Sequence, residues 1–512
     1  MTAIARPVAA PVPDGSPIRR RLGPLRLVPL LRLELRHSVM VLVLPVSIAL
    51  FGFLAYRKIT ALPPFWYLRA ATMQSDGLMD FVLPVVGAAA WTGSREGRCH
   101  MADLLTGTAQ PRATRQLAAW AATAAWAVAG YAACVGVLYL VTARQAPWGG
   151  PLWWPVAVDL CAIVALSAIG FAAGAFFPSR FTAPIATLGV FLALGFSTQP
   201  ISGASSPWDI SPIVNAPWDF GNSAGIGTFY HYLPDLSIAQ VMFLVGLTMA
   251  VVAALGLPGG SAGRRARQLA STFVAAGLAA VVVALALAGT GRMGAQGMIA
   301  IPALHDAASD IPISYTAVCS QEIVPVCLNP AYATYLPVVS SALAPVLDEV
   351  AGLPGAPVRL SQANAAYAQG RGNSVGVIAS GPIISGTPPA VHFILPDQAP
   401  EAPSATSAEF AAQVAGTLGP SILQSVVGDA PGPGASPAQQ AVMLALLKVA
   451  SLPYVPGPTP GLPAVSPRAP LPEPVLAAAR RFAELSAGAR HAWLMGHVVA
   501  LRAGQVPLAQ LP

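Results

Sequence analysis

The sequence predicts an α-helical polytopic membrane domain followed by a soluble α+β domain. Three observations predict it. Of 512 residues, 55% are hydrophobic and only 10% charged, against about 25% charged in an ordinary soluble chain. Seven apolar stretches, most of them near the roughly 20 residues that span a bilayer, fill the first 290 positions. Beyond residue 290 hydropathy falls, and polar runs, prolines and short apolar stretches mix over 222 residues, enough to bury a separate core. The composition excludes a wholly soluble or wholly disordered chain.

Residues 1–37 read as a cytoplasmic N-terminus. They are not a cleavable signal, because too many residues precede the first apolar run and that run is long enough to span. Arg19, Arg20 and Arg21 echo a twin-arginine signal, but a cytoplasmic anchor fits better. The stretch PLRLVPLLRLELRHS, residues 24–38, alternates arginine and leucine as a helix on the inner membrane surface would. Spans are predicted at 38–56, 77–91, 117–141, 153–177, 181–196 and 238–257, within a domain of residues 38–258. A cytoplasmic loop and a seventh span, 269–289, occupy 259–290.

Loop charge sets the orientation. Fifteen arginines fall on one side, seven of them before the first span. The other side holds only Arg57, Lys58, Arg69 and Arg144. The N-terminus is therefore expected inside, and residues 291–512 outside. Trp66, Trp148, Trp153, Trp154, Trp208 and Trp218 fall near the expected outer interface, where amphipathic rings prefer to lie. The net charge of +7 is spread between apolar segments rather than gathered on a soluble face, so no nucleic-acid partner is expected.

In the outer domain, helical periodicity marks 332–353, 408–427, 438–450, 474–485 and 487–503. Short β-like runs mark 298–301, 323–328, 374–378 and 391–395. Residues 452–474 hold nine prolines and read as an extended strap.

The most informative segment is WTGSREGRCHMADLLTGTAQPRATRQLAAW, the loop between the second and third spans. Arg95, Glu96, Arg98, His100 and Asp103 are polar, whereas Met101, Leu104 and Leu105 are apolar, as in a short amphipathic helix ending near Gly107 and Pro111. Such a helix can dock in a partner's groove or lie on the inner leaflet. The cluster REGRCHMADLLTGTAQPRATR, with its acidic and basic residues, Leu-Leu pair and Pro-Arg step, resembles the first coupling helix of the type-2 ABC exporter permeases. The resemblance implies contact with a separate P-loop ATPase subunit by Arg95, Glu96, His100, Asp103, Leu104 and Leu105. It implies that ATP and magnesium belong to that subunit, that this chain is not itself an enzyme and binds no cofactor, and that it works as a homodimer or with a paired permease. It covers a six-helix core over residues 24–258. There FPSRFT, residues 177–182, falls at a second inner turn, and residues 197–237, with no Lys or Arg, fall where that family has re-entrant helices. The seventh span and outer domain depart from the minimal pattern. They look like the tail of some actinobacterial permeases of this type, which end in motifs like WLMGHVVALRAGQVPLAQLP. The implied function is a cell-membrane exporter subunit of unknown substrate. The alternative is a membrane-anchored extracytoplasmic binding or sensor protein without transport.

Other residues carry weaker signals. Neither Lys58 nor Lys448 follows a glycine-rich loop, so there is no Walker A motif. Gly170 and Gly174, four apart, allow close helix approach, either within the chain or at a homodimer seam. Asp159 and Asp80 are intramembrane carboxylates read as structural and close enough to the outer interface to hydrate. Cys99 is expected reduced inside, Cys134 and Cys161 to pack within spans, and Cys319 and Cys327 to be able to form a disulfide outside. Ser374, in GNSVG, precedes Asp397, Asp429, His491 and His497 in an order hydrolases use, but its β-like run follows the serine instead of leading into it. His491 and His497 read as solvent-facing helix residues. There is no zinc motif.

Overall fold

The computed structural model describes residues 27–99, 112–197, 206–215, 228–257, 264–294, 298–363, 366–369, 375–378, 383–385, 390–393, 395, 408–428, 435–452 and 471–512. Helix α1 (Leu27–Arg36) leads into α2 (Met40–Ala61). Helix α3 (Trp66–Thr72) continues through a wide turn at Met73–Gly77 into α4 (Leu78–Gly93), and one further turn, α5 (Arg95–Arg98), closes that arm. The bundle goes on with α6 (Arg112–Gln145), α7 (Trp153–Phe176), α8 (Thr182–Ser197), α9 (Asp235–Ala254) and α10 (Arg264–Ala288).

Among the described residues, α2, α6, α7, α9 and α10 are long and apolar enough to cross a membrane. The other two expected spans, α4 and α8, are helices of 16 residues each. Apolar composition dictates these helices, because hydrocarbon leaves backbone groups no partner but their own turn. Exposed Leu42, Phe53, Ile185, Phe196 and Val282 stud the outside of the bundle, as a lipid-facing surface requires.

The second body follows α10. A short hairpin, β1 (Arg292–Met293) with β2 (Ile299–Ala300), opens it. Its sheet has the order β3–β4–β5–β9–β8, from β3 (Val318–Cys319), β4 (Val326–Leu328), β5 (Arg359–Gln362), β8 (Ile383–Ser385) and β9 (Ala390–Phe393). The central strands β4, β5 and β9 run parallel and the two edges antiparallel. Strands β6 (Ala366–Gln369) and β7 (Val375–Ile378) form a separate hairpin. Helices α11 (Leu336–Val350), α12 (Ala408–Val427), α13 (Pro437–Val449), α14 (Glu473–Glu484) and α15 (Ala487–Arg502) cover the sheet.

All five helices follow the apolar period of the sequence. Val339, Leu343, Val346 and Val350 of α11 share one core with Val414, Leu418 and Ile422 of α12 and with Leu360 and Phe393 of the sheet. Ser436 starts α13 with a reciprocal cap: its hydroxyl accepts from the Gln439 amide at 3.2 Å, and the Gln439 side chain accepts from the Ser436 amide at 2.7 Å. Gly428, at φ +102°, takes the left-handed turn that ends α12.

Two devices fasten this body. Inside it, Arg490 of α15 grips Glu349 of α11 through both carboxylate oxygens, at 2.6 and 3.1 Å, and also donates to the Ala483 carbonyl at 3.3 Å. Against the bundle, Phe65 packs on Tyr332 at 4.8 Å between ring centroids, and the Ile313 amide donates to the Phe229 carbonyl at 2.7 Å. Asp235, at the start of α9, accepts from the Ile301 amide at 2.9 Å. His305 sits between Asp235 (3.5 Å) and Asp310 (3.0 Å). The hydrogen bond to Asp310 raises the His305 pKa above the ordinary imidazole value, against a smaller opposing effect of burial.

Two outcomes follow. Arg490→Ala strands Glu349 in a largely buried site and should cost about 3 kcal/mol or more, read as a lower melting temperature of the sheet-containing body in the full-length protein. Because the folded pKa of His305 is raised, its contribution is fully present at acid pH and fades as pH rises through the folded pKa. The protection factor of the Ile301 amide, with intrinsic base-catalysed exchange divided out, should therefore fall in the wild type as pH rises above the unfolded imidazole value of about 6.5, and His305→Gln should flatten that fall.

Candidate functional site

The membrane bundle is organised around a backbone-to-backbone seam between α4–α5 and α7. Gly170 lies against the Val86 carbonyl, and Gly174 against the Ala90 carbonyl and the Ser94 amide. Gly93 lies in turn against the Phe171 carbonyl, and Gly97 against the ring of Pro178. A methyl group at any of the four would overlap those atoms. The glycines at 170 and 174 are therefore spent within the chain. Sequence reading missed their partners, Gly93 and Gly97, although these are also four apart.

The seam carries α5 onto the turn between α7 and α8, so the two inner turns expected from the sequence meet here through Gly97 and Pro178. Helix α1 completes this end. Trp126 of α6 donates its indole N–H to the Leu35 carbonyl at 2.9 Å, and Arg95 pairs with Glu34 at 3.2 Å. Glu96 is held by Arg112 and Arg115 of α6, each at 3.4 Å. The guanidinium of Arg98 stacks 3.5 Å above the Trp91 ring and donates to Ser94 at 2.9 Å. Of the six residues expected to meet a partner, Arg95 and Glu96 therefore spend their charges on intrachain pairs, leaving Arg95 half exposed. His100, Asp103, Leu104 and Leu105 lie outside the described residues.

Within the bundle Asp159 is fully buried, and this corrects the expectation that it hydrates. Tyr131 donates to its Oδ2 at 2.6 Å. Oδ1 has no hydrogen-bond partner among the described residues. Phe51 and Phe81 set their rings edge-on to Tyr131 at 5.9 and 5.2 Å and shield the pair. Towards the sheet-containing body, Arg69 is also buried, not a loop charge. It donates to Thr142 and to the Thr60 and Leu62 carbonyls, tying three helix ends together. Gln240 of α9 donates to the carbonyls of Asp209, Ser211 and Val214 and so pins the segment between α8 and α9.

An apolar groove of about 670 Å³ runs between α6, α7, α9 and α10. Leu117, Trp120, Leu160, Val245, Val252 and Phe273 are among its lining. The Trp120 N–H is satisfied by Ser167 and the Thr248 hydroxyl by the Leu244 carbonyl, so its walls present almost no free hydrogen-bonding groups. Opposite the groove's far wall, α9 and α10 cross at Gly246 and Gly277, whose backbones touch.

The remaining candidates are placed as follows. Cys319 and Cys327 face each other across β3 and β4 and are joined as a disulfide. Ser374, Asp397 and Asp429 lie outside the described residues, so the hydrolase order has no described geometry. His497 stacks on Trp493 at 4.5 Å and its Nδ1 lies 2.9 Å from the Trp493 carbonyl, which makes it a helix-surface residue. Among the described residues no cluster of three or more His, Cys, Asp and Glu could hold a metal. No protein-family model, curated protein or solved structure matches the chain.

The seam makes a sharp expectation. Gly174→Val should force α7 away from α4, where overpacking costs about 1–3 kcal/mol or more. Gly136→Val, whose site is open, should be tolerated. Size-exclusion profiles and melting of the detergent-solubilised proteins separate the two.

Proposed function

We propose that this chain is the membrane-spanning permease subunit of an ABC-type exporter, driven by a separate P-loop ATPase. In this reading α2, α3–α4, α6, α7, α8, α9 and α10 are seven spans. The arginine-rich end faces the cytoplasm, and the sheet-containing body lies on the other side. Ten described arginines against Glu34 and Glu96 at that end agree with the rule that cytoplasmic loops are basic.

One observation carries the reading. The loop whose sequence resembles a coupling helix starts from a turn, Arg95–Arg98, wedged against the other inner turn at Pro178 and ion-paired to α1 and α6. A force applied there reaches α4 and α7 through the glycine seam and α6 through the Glu96 ion pairs. Such an arrangement suits a site that receives work from outside the chain.

The test is copurification. From intact cells treated with a crosslinker and solubilised in mild detergent, a P-loop ATPase should come down with the tagged wild type. Asp103→Arg combined with Leu104→Asp should lose it while still migrating as a folded species. Absence of any ATPase with the wild type would end the exporter reading and leave the outer binding module.

A further inference from the structure

We propose that the groove between α6, α7, α9 and α10 is a binding site for an anionic phospholipid of the surrounding bilayer. Its acyl chain would lie in the groove and its headgroup at the arginine-rich end. The proposal rests on membrane embedding and not on the exporter reading.

The walls come first. A cavity of about 670 Å³ with almost wholly apolar lining and internally satisfied polar groups offers water nothing to bond. Empty apolar volume of this size forfeits dispersion contacts, which an acyl chain entering from the bilayer would restore. The same walls belong to helices whose length and composition suit a bilayer. The neighbour at hand is therefore a hydrocarbon chain, not an aqueous ligand.

Charge then selects among amphiphiles. The groove begins at the arginine-rich end: Ala113 and Leu117 stand in the first turns of α6, Leu255 and Gly256 just past the end of α9, and Ala270 in the second turn of α10. Arg112 immediately precedes Ala113. Arg264, Arg265 and Arg267 are exposed one to two turns before Ala270. Among the described residues Arg264 and Arg265 form no ion pair. The two glutamates described at this end, Glu34 and Glu96, are already matched by Arg95, Arg112 and Arg115. The mouth therefore keeps an excess of positive charge, complementary to a phosphodiester and its anionic headgroup, while the interior accepts only an apolar chain. A neutral apolar molecule would leave the arginines unused. A water-soluble anion would leave the groove empty.

Cys161 lines this groove half-buried and reports occupancy directly. The full-length Cys99→Ser/Cys134→Ser protein, with the Cys319–Cys327 bridge intact, keeps Cys161 as its single free thiol. It is reconstituted in nanodiscs of phosphatidylcholine alone or with one fifth phosphatidylglycerol, and alkylation by N-ethylmaleimide is followed by mass spectrometry. Phosphatidylglycerol should slow Cys161 alkylation and be retained over phosphatidylcholine on extraction into detergent. Arg264→Gln/Arg265→Gln should reduce that preference by roughly fivefold per arginine. These exposed substitutions leave the packing untouched, so loss of folding does not confound the result. Alkylation indifferent to phosphatidylglycerol, or a preference unchanged by the arginine substitutions, would overturn the proposal. An outcome in which both lipids protect Cys161 equally would also overturn it, since an apolar slot without headgroup selection would then suffice.

Discussion

The close approach of α4–α5 to α7 is the contact on which the rest of the bundle depends. Inside a bilayer the hydrophobic effect does not drive helices together, because lipid tails are as apolar as the side chains. Association has to come from dispersion at short range, and short range requires that side chains be absent. Gly93, Gly97, Gly170 and Gly174 supply that absence from both partners at once, so backbone meets backbone over two turns and more. The same alignment places Phe81 of α4 against Tyr131 of α6, and hence Tyr131 against Asp159 of α7. The buried carboxylate is held by the packing that the glycines permit.

Three buried polar groups elsewhere in the bundle fix helix ends. Arg69 gathers the ends of α2, α3 and α6. Gln240 fixes the chain before α9. Asp235, at the first residue of α9, takes the Ile301 amide from the sheet-containing body. That body is therefore not tethered by α10 alone. It is stitched to α9 at Asp235 and to the loop before α3 at Phe65. Such fastening is what a short apolar chain with 10% charge can manage, because every buried donor or acceptor left unpaired costs about 1–3 kcal/mol.

Much of this was legible in the sequence, for definite physical reasons. The helices of the bundle and of the sheet-containing body write a strong apolar signal over 12 or more residues, so their positions agree with the structure to within about five residues. Strand β5, RLSQ, was not legible. It lies in the sheet interior between β4 and β9, yet of its side chains only Leu360 and Gln362 are buried, so the apolar run expected of a central strand is missing. Gly170 and Gly174 could be singled out as a close-packing pair, but not their partner, because spacing says nothing of what approaches. Arg69 reads as a loop charge because it falls between the first two apolar stretches. Only the fold shows that three carbonyl and hydroxyl acceptors converge on it. Asp159 misled in the same way: its distance from the span's end implied water, whereas Tyr131, 28 residues earlier, supplies the hydrogen bond instead.

Burial differs sharply between the helices on either side of the Pro178 turn. Helix α7 has 13 buried residues spread along its length, and α4 has 10. Helix α8, which follows the Pro178 turn, has only Thr182, Val190 and Leu194 buried, and meets α4 where Gly87 touches the Thr187 hydroxyl. A displacement at the Gly97–Pro178 contact would find α4 and α7 locked together as one body and α8 weakly held. The least costly response is a shift of α8 against that body, pivoting at the turn of residues 177–182. Under the coupling reading, work delivered to the arginine-rich end would thus be spent at the α4–α8 contact. The apolar groove lies on the other side of α7 and would keep its shape during the stroke. Its walls are shared by α6, α7, α9 and α10, and the Gly246–Gly277 crossing holds α9 and α10 in close contact.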